Sequence, residues 1–348
     1  MTWMIYGANG YTGELIAREA RARGQSPILA GRNANSLRKL ASELGFEFRT
    51  FSLENPQELV AGLLGVRAVV HAAGPFSWTA APMVQGCLDS GTHYLDITGE
   101  IPVFESIMRV DRNAKKAGIA LIPGVGFDVV PTDCLAAMLA AKVPNATELI
   151  LAFCAEGGGI SPGTMKTMIE GAGKGGAIRR DGVIIGVPLA WDAREIPFPG
   201  RSRMAMTIPW GDVSTAFYTT GIPNIRVYSA TSPKTIARMR AFRPLTRLLR
   251  FAPLRRALQG LAGRRRGPDQ AARSTARIHL WGEARDSAGH SATMTMTVPE
   301  GYDFTARSAV TAVEKVLSGR VGPGSWTPAR AFGADFVRLI EGVEVHPS

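Results

Sequence analysis

Residues 1–17 read MTWMIYGANGYTGELIA. Five of the first six residues suit a buried strand, and three glycines then follow at a spacing of three: Gly7, Gly10 and Gly13. A backbone that turns tightly beside a ligand has no room for Cβ atoms, and glycine also tolerates positive φ. The next segment, Glu14 to Arg23, reads as a helix. Its first turn would present free N–H groups and the positive end of a dipole, a natural seat for a phosphate. Strand, glycine turn and helix together form the first βα unit of a dinucleotide-binding sheet. The spacing is G-x-x-G-x-x-G, not the commoner G-x-G-x-x-G, and alone it also suits a merely tight turn. Asn9, Tyr11 and Thr12 lie between the glycines and join them as candidate cofactor contacts.

Outward from this turn, strand and helix patterns alternate. Strands are read at SPILAGR, EFRTFSL, AVVHAAGP, HYLDITG and IALIPG; helices at NSLRKLASELG, PQELVAGLLG, APMVQGCLDSG and VFESIMRVDRNAKKAG. Such alternation predicts βαβ units and an α/β fold: a Rossmann-type, doubly wound parallel sheet. Ligands of such sheets bind beyond the carboxyl ends of the strands.

The second strand ends at Arg32-Asn33, where an NAD site would place an acid. A guanidinium grips a 2′-phosphate that an acid would repel, so the expected cofactor is NADP(H). Asn33 and Arg38 are its candidate helpers. The fourth strand runs into Ala73-Gly74-Pro75-Phe76, small or stiff residues that would flank the nicotinamide. The fifth ends at Asp96 to Glu100, and the sixth runs into PGVGFDVVPTD, which holds Asp128. Singly, Asp96, Glu100 and Asp128 read as caps or anchors; together they outline a pocket.

GANGYTG, LAGRN, HAAGPF, YLDITGE and PGVGFDVVPTD, in this order, resemble the saccharopine dehydrogenase-like oxidoreductases, nearest to the branch of trans-acting enoyl reductases. Gly163-Thr164, PWGDVSTAFYTTGIPNI and TPARAFGADFV extend the resemblance over most of the chain. It implies NADP-dependent hydride transfer by a Rossmann domain with a second α+β domain. It leaves the substrate open between C=C and C=N bonds. Short-chain dehydrogenases share the glycine turn but need a tyrosine with a lysine four residues on, which lowers the phenol's pKa. None of the six tyrosines has one.

The expected division is 1–142 for the NADP-binding domain, joined by 320–348, and 143–319 for a substrate and dimerisation domain. In the latter, ELILAF, GVIIGVPL, RMAMTIP, VSTAFYTTG, IRVYSA and the hairpin TARIHLWGEAR/HSATMTMTV read as strands of a mixed or antiparallel sheet. Helix 304–318 and segment 327–341 are expected to return to the first domain. The loop GGGISPGT, with Ser161 as cap and Pro162 at the first helical position, would bring Thr164 or Lys166 near the substrate. Trp210 would line an apolar pocket and Asp212 orient a donor; a buried Trp and a turn Asp are the plain alternatives.

The chain has 348 residues, 45% hydrophobic and 20% charged, with a net charge of +11. This is the composition of a soluble globular protein with room for two cores. Twelve basic residues against one acid, Asp269, lie between Lys234 and Arg273, so that stretch alone carries the whole net charge. Between Pro244, Pro253 and Gly263 it reads as two short basic amphipathic helices, suited to an anionic membrane surface or an acidic acyl carrier protein through 234–266. Nucleic acid is not expected, because no aromatic platform accompanies the charge. Cys87, Cys134 and Cys154 form no metal-like or disulfide framework, which fits a reducing cytoplasm. Neither a signal peptide nor a membrane span is expected.

The expected function is NADPH-dependent reduction of an activated C=C bond in an enoyl or lipid-like substrate, by a homodimer. Asp128, Glu100 and Lys166 are the candidate proton donors; no metal is expected. The alternatives are imine reduction of an amino-acid-derived substrate and a catalytically silent NADPH-binding protein on a membrane or lipid surface.

Overall fold

The computed structural model describes residues 2–159, 161, 163–165, 175–246, 260 and 267–347. Met1–Val130 with Gly301–Glu341 form one compact unit, and Pro131–Glu300 with Gly342–Ser348 another. The division thus falls after Val130, where the sequence placed it at 142. The helix expected at 304–318 does return to the first unit, whereas the last residues pair in the second.

The first unit is built from β1 (Trp3–Tyr6), α1 (Tyr11–Ala22), β2 (Ile28–Gly31), α2 (Ala34–Leu44), β3 (Phe48–Thr50), α3 (Pro56–Leu63), β4 (Ala68–His71), α4 (Phe76–Ser90), β5 (His93–Asp96), α5 (Ile101–Arg109), α6 (Asp111–Ala117) and β6 (Ala120–Ile122). All pairings are parallel, in the order β3-β2-β1-β4-β5-β6, so the chain reverses its course across the sheet between β1 and β4. The carboxyl ends of β1 and β4 therefore flank the switch point where doubly wound sheets bind ligands. Strands β1, β2 and β4 are buried throughout, as expected of parallel strands covered on both faces.

Local sequence explains the covering helices. In α2, Leu37, Leu40, Ala41 and Leu44 recur at helical spacing and are all buried. Asn33 caps this helix by accepting the Ser36 N–H, and Gly45 ends it at φ +69°. Truncating Leu37 to alanine would cost about 2–5 kcal/mol. The run VFESIMRVDRNAKKAG, expected as one helix, breaks at Val110. There Asp111 opens α6, and its Oδ1 accepts the N–H of Ser325.

The second unit starts with most of α7 (Val130–Lys142) and holds β7 (Ala146–Glu156), β8 (Gly176–Arg180), β9 (Val183–Val187), β10 (Ala193–Phe198), β11 (Arg201–Thr207), α8 (Asp212–Thr220), β12 (Asn224–Ala230), α9 (Pro233–Ala241), α10 (Arg243–Thr246), α11 (Gln270–Thr275), β13 (Arg277–Asp286) and β14 (Ser291–Pro299). After it the first unit resumes with α12 (Gly301–Leu317), β15 (Gly324–Ser325), which adds a seventh parallel strand beside β6, and α13 (Pro328–Phe332). Finally β16 (Glu344–Pro347) pairs with β14.

The second sheet runs β10-β11-β12-β7-β13-β14-β16 and is mixed, with only β12 and β7 parallel among these pairs. Ile196 and Phe198 of β10 share an apolar cluster with Ala152 of β7 and Trp281 of β13. The sheet therefore curls over one face. On the other, Leu135 and Leu139 fill the space that a side chain at Gly282 would need.

VSTAFYTTG is a helix and not the expected strand. Asp212 to Ala216 are buried in succession, and Gly221 closes the helix at φ +75°. Packing has overridden the β-branched composition. The basic helices expected between Pro244, Pro253 and Gly263 lie outside the described residues except for 244–246 and 260. Within the described part of that stretch, Arg240 and Arg243 donate to the carbonyls of Leu189 and Ala190, so these two charges anchor α9 and α10 locally.

Candidate nucleotide and proton site

Gly7 leaves β1 at φ +86°, a conformation for which glycine pays no side-chain penalty. A Cβ there would lie 2.8 Å from the Ala73 nitrogen. The turns after β1 and β4 are thus in contact through bare backbone. At Gly13 a Cβ would lie 2.2 Å from the Gly7 oxygen, so α1 also seats directly on the turn. Gly7 N–H donates to Ala30 O at 2.7 Å, and Gly10 N–H to Gly7 O at 2.9 Å. Gly10 caps α1 in extended conformation with no side chain to fill the cap. This cradle, closed to Cβ atoms and open at a helix N-terminus, fits a pyrophosphate. Asn9 places its Oδ1 3.1 Å from where a Gly31 Cβ would stand, bridging the ends of β1 and β2.

Arg32 is exposed just after β2. Among the described residues it has no ion pair or hydrogen-bond partner, so its charge remains available for a phosphate. Asn33 spends its side-chain oxygen on the cap of α2, and Arg38 donates to Asn35 at 3.3 Å while lying over Phe48.

The turn Ala73-Gly74-Pro75-Phe76 contains a cis peptide between Gly74 and Pro75. Thr79 Oγ1 donates to Ala73 O at 2.7 Å and lies 3.0 Å from His71 Nε2. His71 is fully buried, and burial pushes its pKa down to about 3, so the ring is neutral. Nothing in the sequence points to this pair, because His71 reads as an ordinary strand residue.

Glu100 is an anchor. Its Oε1 accepts the Phe76 N–H at 2.8 Å and its Oε2 the Ser77 N–H at 2.9 Å. Both oxygens are committed to the first turn of α4. Asp96 has a similar task in a deeper place. It accepts from the Tyr94 hydroxyl at 2.6 Å, the Thr98 N–H at 3.0 Å and the Gly124 N–H at 2.8 Å. Burial pushes its pKa up to about 6, against the pull of these three donors. It ties the end of β5 to the loop after β6.

Asp128 differs from both. Its carboxyl lies against Gly99, where a Cβ would stand 2.6 Å from Oδ2. Among the described residues no donor meets it. The residue is half-buried, and loss of water around the carboxyl pushes its pKa up to about 7. A carboxyl with this pKa holds a proton near neutrality and can part with it.

Residues 3–122 match the family described as the saccharopine dehydrogenase NADP binding domain. A Mycobacterium tuberculosis protein provisionally named a trans-acting enoyl reductase is 34% identical over 181 residues, which cover 48% of this chain and 43% of that protein. A rat protein named saccharopine dehydrogenase-like oxidoreductase is 32% identical over 206 residues, 51% of this chain and 47% of its own. The chain thus spans about half the length of the curated relatives it matches. The apo saccharopine dehydrogenase (L-Glu forming) of Saccharomyces cerevisiae shares the fold, with a TM-score of 0.66 over 100% of this chain and 99% of that one, at 11% identity. The resemblance read from GANGYTG, LAGRN and HAAGPF therefore holds, as do the Rossmann-type sheet with its mixed-sheet companion and the NADP(H) cofactor.

In the second unit, Ser161 Oγ accepts the Thr164 N–H at 3.2 Å, so Ser161 is the expected cap. Lys166 lies outside the described residues. Asp212 is buried and accepts from the Thr132 hydroxyl at 2.8 Å, and Trp210 packs on Phe153 with ring centroids 4.7 Å apart. Among the described residues no group of three or more His, Cys, Asp and Glu side chains is placed to hold a metal ion, and no helix is long and apolar enough to cross a membrane.

Proposed function

We propose that this chain is an NADPH-dependent reductase in which Asp128 is the proton donor. The observation that carries the reading is the Asp128 carboxyl, unpaired among the described residues, at the ligand-binding edge of a saccharopine dehydrogenase NADP binding domain. NADPH, when bound, supplies a hydride. Gly7, Gly10 and Gly13 leave room for its pyrophosphate, with Asn9, Tyr11 and Thr12 around them. Arg32 takes the 2′-phosphate, with Asn33 beside it. Ala73, Gly74, Pro75 and Phe76 flank the nicotinamide, in a turn that Thr79 and Glu100 hold in place. Asp128 gives its proton to the substrate atom that does not receive the hydride and is recharged from solvent, so two electrons and two hydrogens are added to one double bond.

The substrate class we favour is an enoyl group on an acyl chain, supported by the name of the mycobacterial relative. An acidic acyl carrier or an anionic membrane surface would then meet the basic stretch 234–266, in a cytoplasmic homodimer. Reduction of a C=N bond is the second reading, supported by the fold shared with the yeast enzyme. NADPH oxidation followed at 340 nm separates them. Turnover of enoyl thioesters supports the first, and turnover of keto acids paired with amines the second. Tight NADPH binding with neither would overturn both.

A further inference from the structure

The first turn of α12 reaches the nucleotide site at two points. The ring of Tyr302 stands edge-on to that of Tyr11, with centroids 5.0 Å apart and planes at 86°. Tyr11 is the first residue of α1, directly after the cap at Gly10. A ring at that position is free to rotate beside the turn unless something packs against it, and an edge-to-face partner supplies both contact and orientation.

One helical turn on, Thr305 Oγ1 accepts the Phe127 N–H at 3.0 Å and donates to Gly301 O at 2.7 Å. Its methyl lies 2.9 Å from where a Gly126 Cβ would stand. The Phe127 ring meets Phe304 edge-on at 6.3 Å. The two residues that precede Asp128 are therefore held by Phe304 and Thr305, 178 positions from Phe127 in the case of the hydrogen bond.

We propose that the first turn of α12, Tyr302 to Thr305, is a positioning element of the cofactor site: Tyr302 sets the ring of Tyr11 beside the glycine turn, and Thr305 sets the backbone that carries Asp128. The proposal rests on the nucleotide site and proton donor described above. It adds residues far outside the 3–122 segment that matches the family, so residues 1–130 alone would bind NADPH less well than the full chain.

The test uses the full chain and the variants Y302F, Y302A, T305S and T305V. NADPH affinity is read by fluorescence, and the Asp128 carboxyl is titrated by carbon NMR of labelled aspartate, assigned with D128N. Y302A should bind NADPH about 3- to 10-fold more weakly, and Y302F should stay closer to the unmutated protein than Y302A does, because it keeps the edge-to-face ring contact. T305V should move the Asp128 midpoint down from about 7 toward the ordinary carboxylate range, as water enters a loosened loop, while T305S keeps it. A lowered unfolding temperature with both affinity and midpoint unchanged would mark α12 as scaffold only and overturn the proposal. Should Y302A fail to fold, Y302L keeps the bulk without the aromatic edge and is held to the same expectation. An unmutated protein that binds no NADPH would sink the function proposed above, and the Asp128 midpoint in T305V would still decide the role of Thr305.

Discussion

Gly99 and Asp128 occupy one another's space: a methyl group at residue 99 would come within 2.6 Å of the Asp128 carboxylate oxygen and 3.1 Å of its Cβ. The bare backbone after β5 is what lets the carboxyl after β6 sit where it does. Gly99→Ala is therefore expected to displace Asp128 while leaving the glycine turn after β1 intact. Turnover should fall by at least about tenfold, the equivalent of roughly 1.4 kcal/mol in the barrier. NADPH affinity should stay within about twofold. An equal loss of affinity and turnover would count against Asp128 as donor.

The raised pKa of Asp128 makes a signed prediction about stability. The group holds its proton up to about pH 7 in the folded chain and only to about 3.9 when unfolded. Between those values the folded state binds more protons, so stability declines as pH rises and levels off above pH 7. Asp128→Asn removes this term. In urea titrations it should be more stable than the unmutated protein at pH 8, with a smaller advantage at pH 5. Turnover of the unmutated enzyme should fall as pH rises through 7, and this limb should vanish in the variant.

Arg32→Glu reverses a charge that has no ion pair among the described residues. The preference for NADPH over NADH should drop by on the order of 10- to 100-fold, as loss of a charge-assisted contact implies. Dissociation constants for both nucleotides, measured on both proteins, decide the point. Equal affinities in the unmutated protein would remove Arg32 from the 2′-phosphate site.

Glu100→Ala strips two acceptors from the first turn of α4. The expected cost is about 1–3 kcal/mol in chemical denaturation, with a smaller cost for Glu100→Gln, which keeps one carbonyl oxygen. A pH–rate profile of the same shape in Glu100→Gln would fit an anchor. Loss of one limb of that profile would return Glu100 to the proton path.

The residues proposed for the nucleotide site were largely legible because they would act through backbone geometry. Gly7 and Gly13 are glycines for steric reasons that a short stretch of sequence displays, and Arg32 stands a predictable distance along the chain. Glu100 and Asp128 were not separable in the same way. Both are acids just beyond strand ends, and only the positions of the Phe76 and Ser77 N–H groups show that one is occupied. The β-branched residues of VSTAFYTTG favour a strand on average, while the burial of Asp212 to Ala216 decides for a helix here.

From sequence alone, local rules determined the βαβ order, the glycine cradle and the place of Arg32, since each depends on residues close together in the chain. The tertiary structure decided which acid lies half-buried with no donor among the described residues and which distant helix packs against Tyr11 and Phe127. Desolvation of Asp128, the two N–H donors on Glu100 and the Tyr11–Tyr302 contact arise only when segments remote in sequence are packed together. Burial and hydrogen bonding of that kind depend on the whole fold, and no short stretch of sequence encodes them.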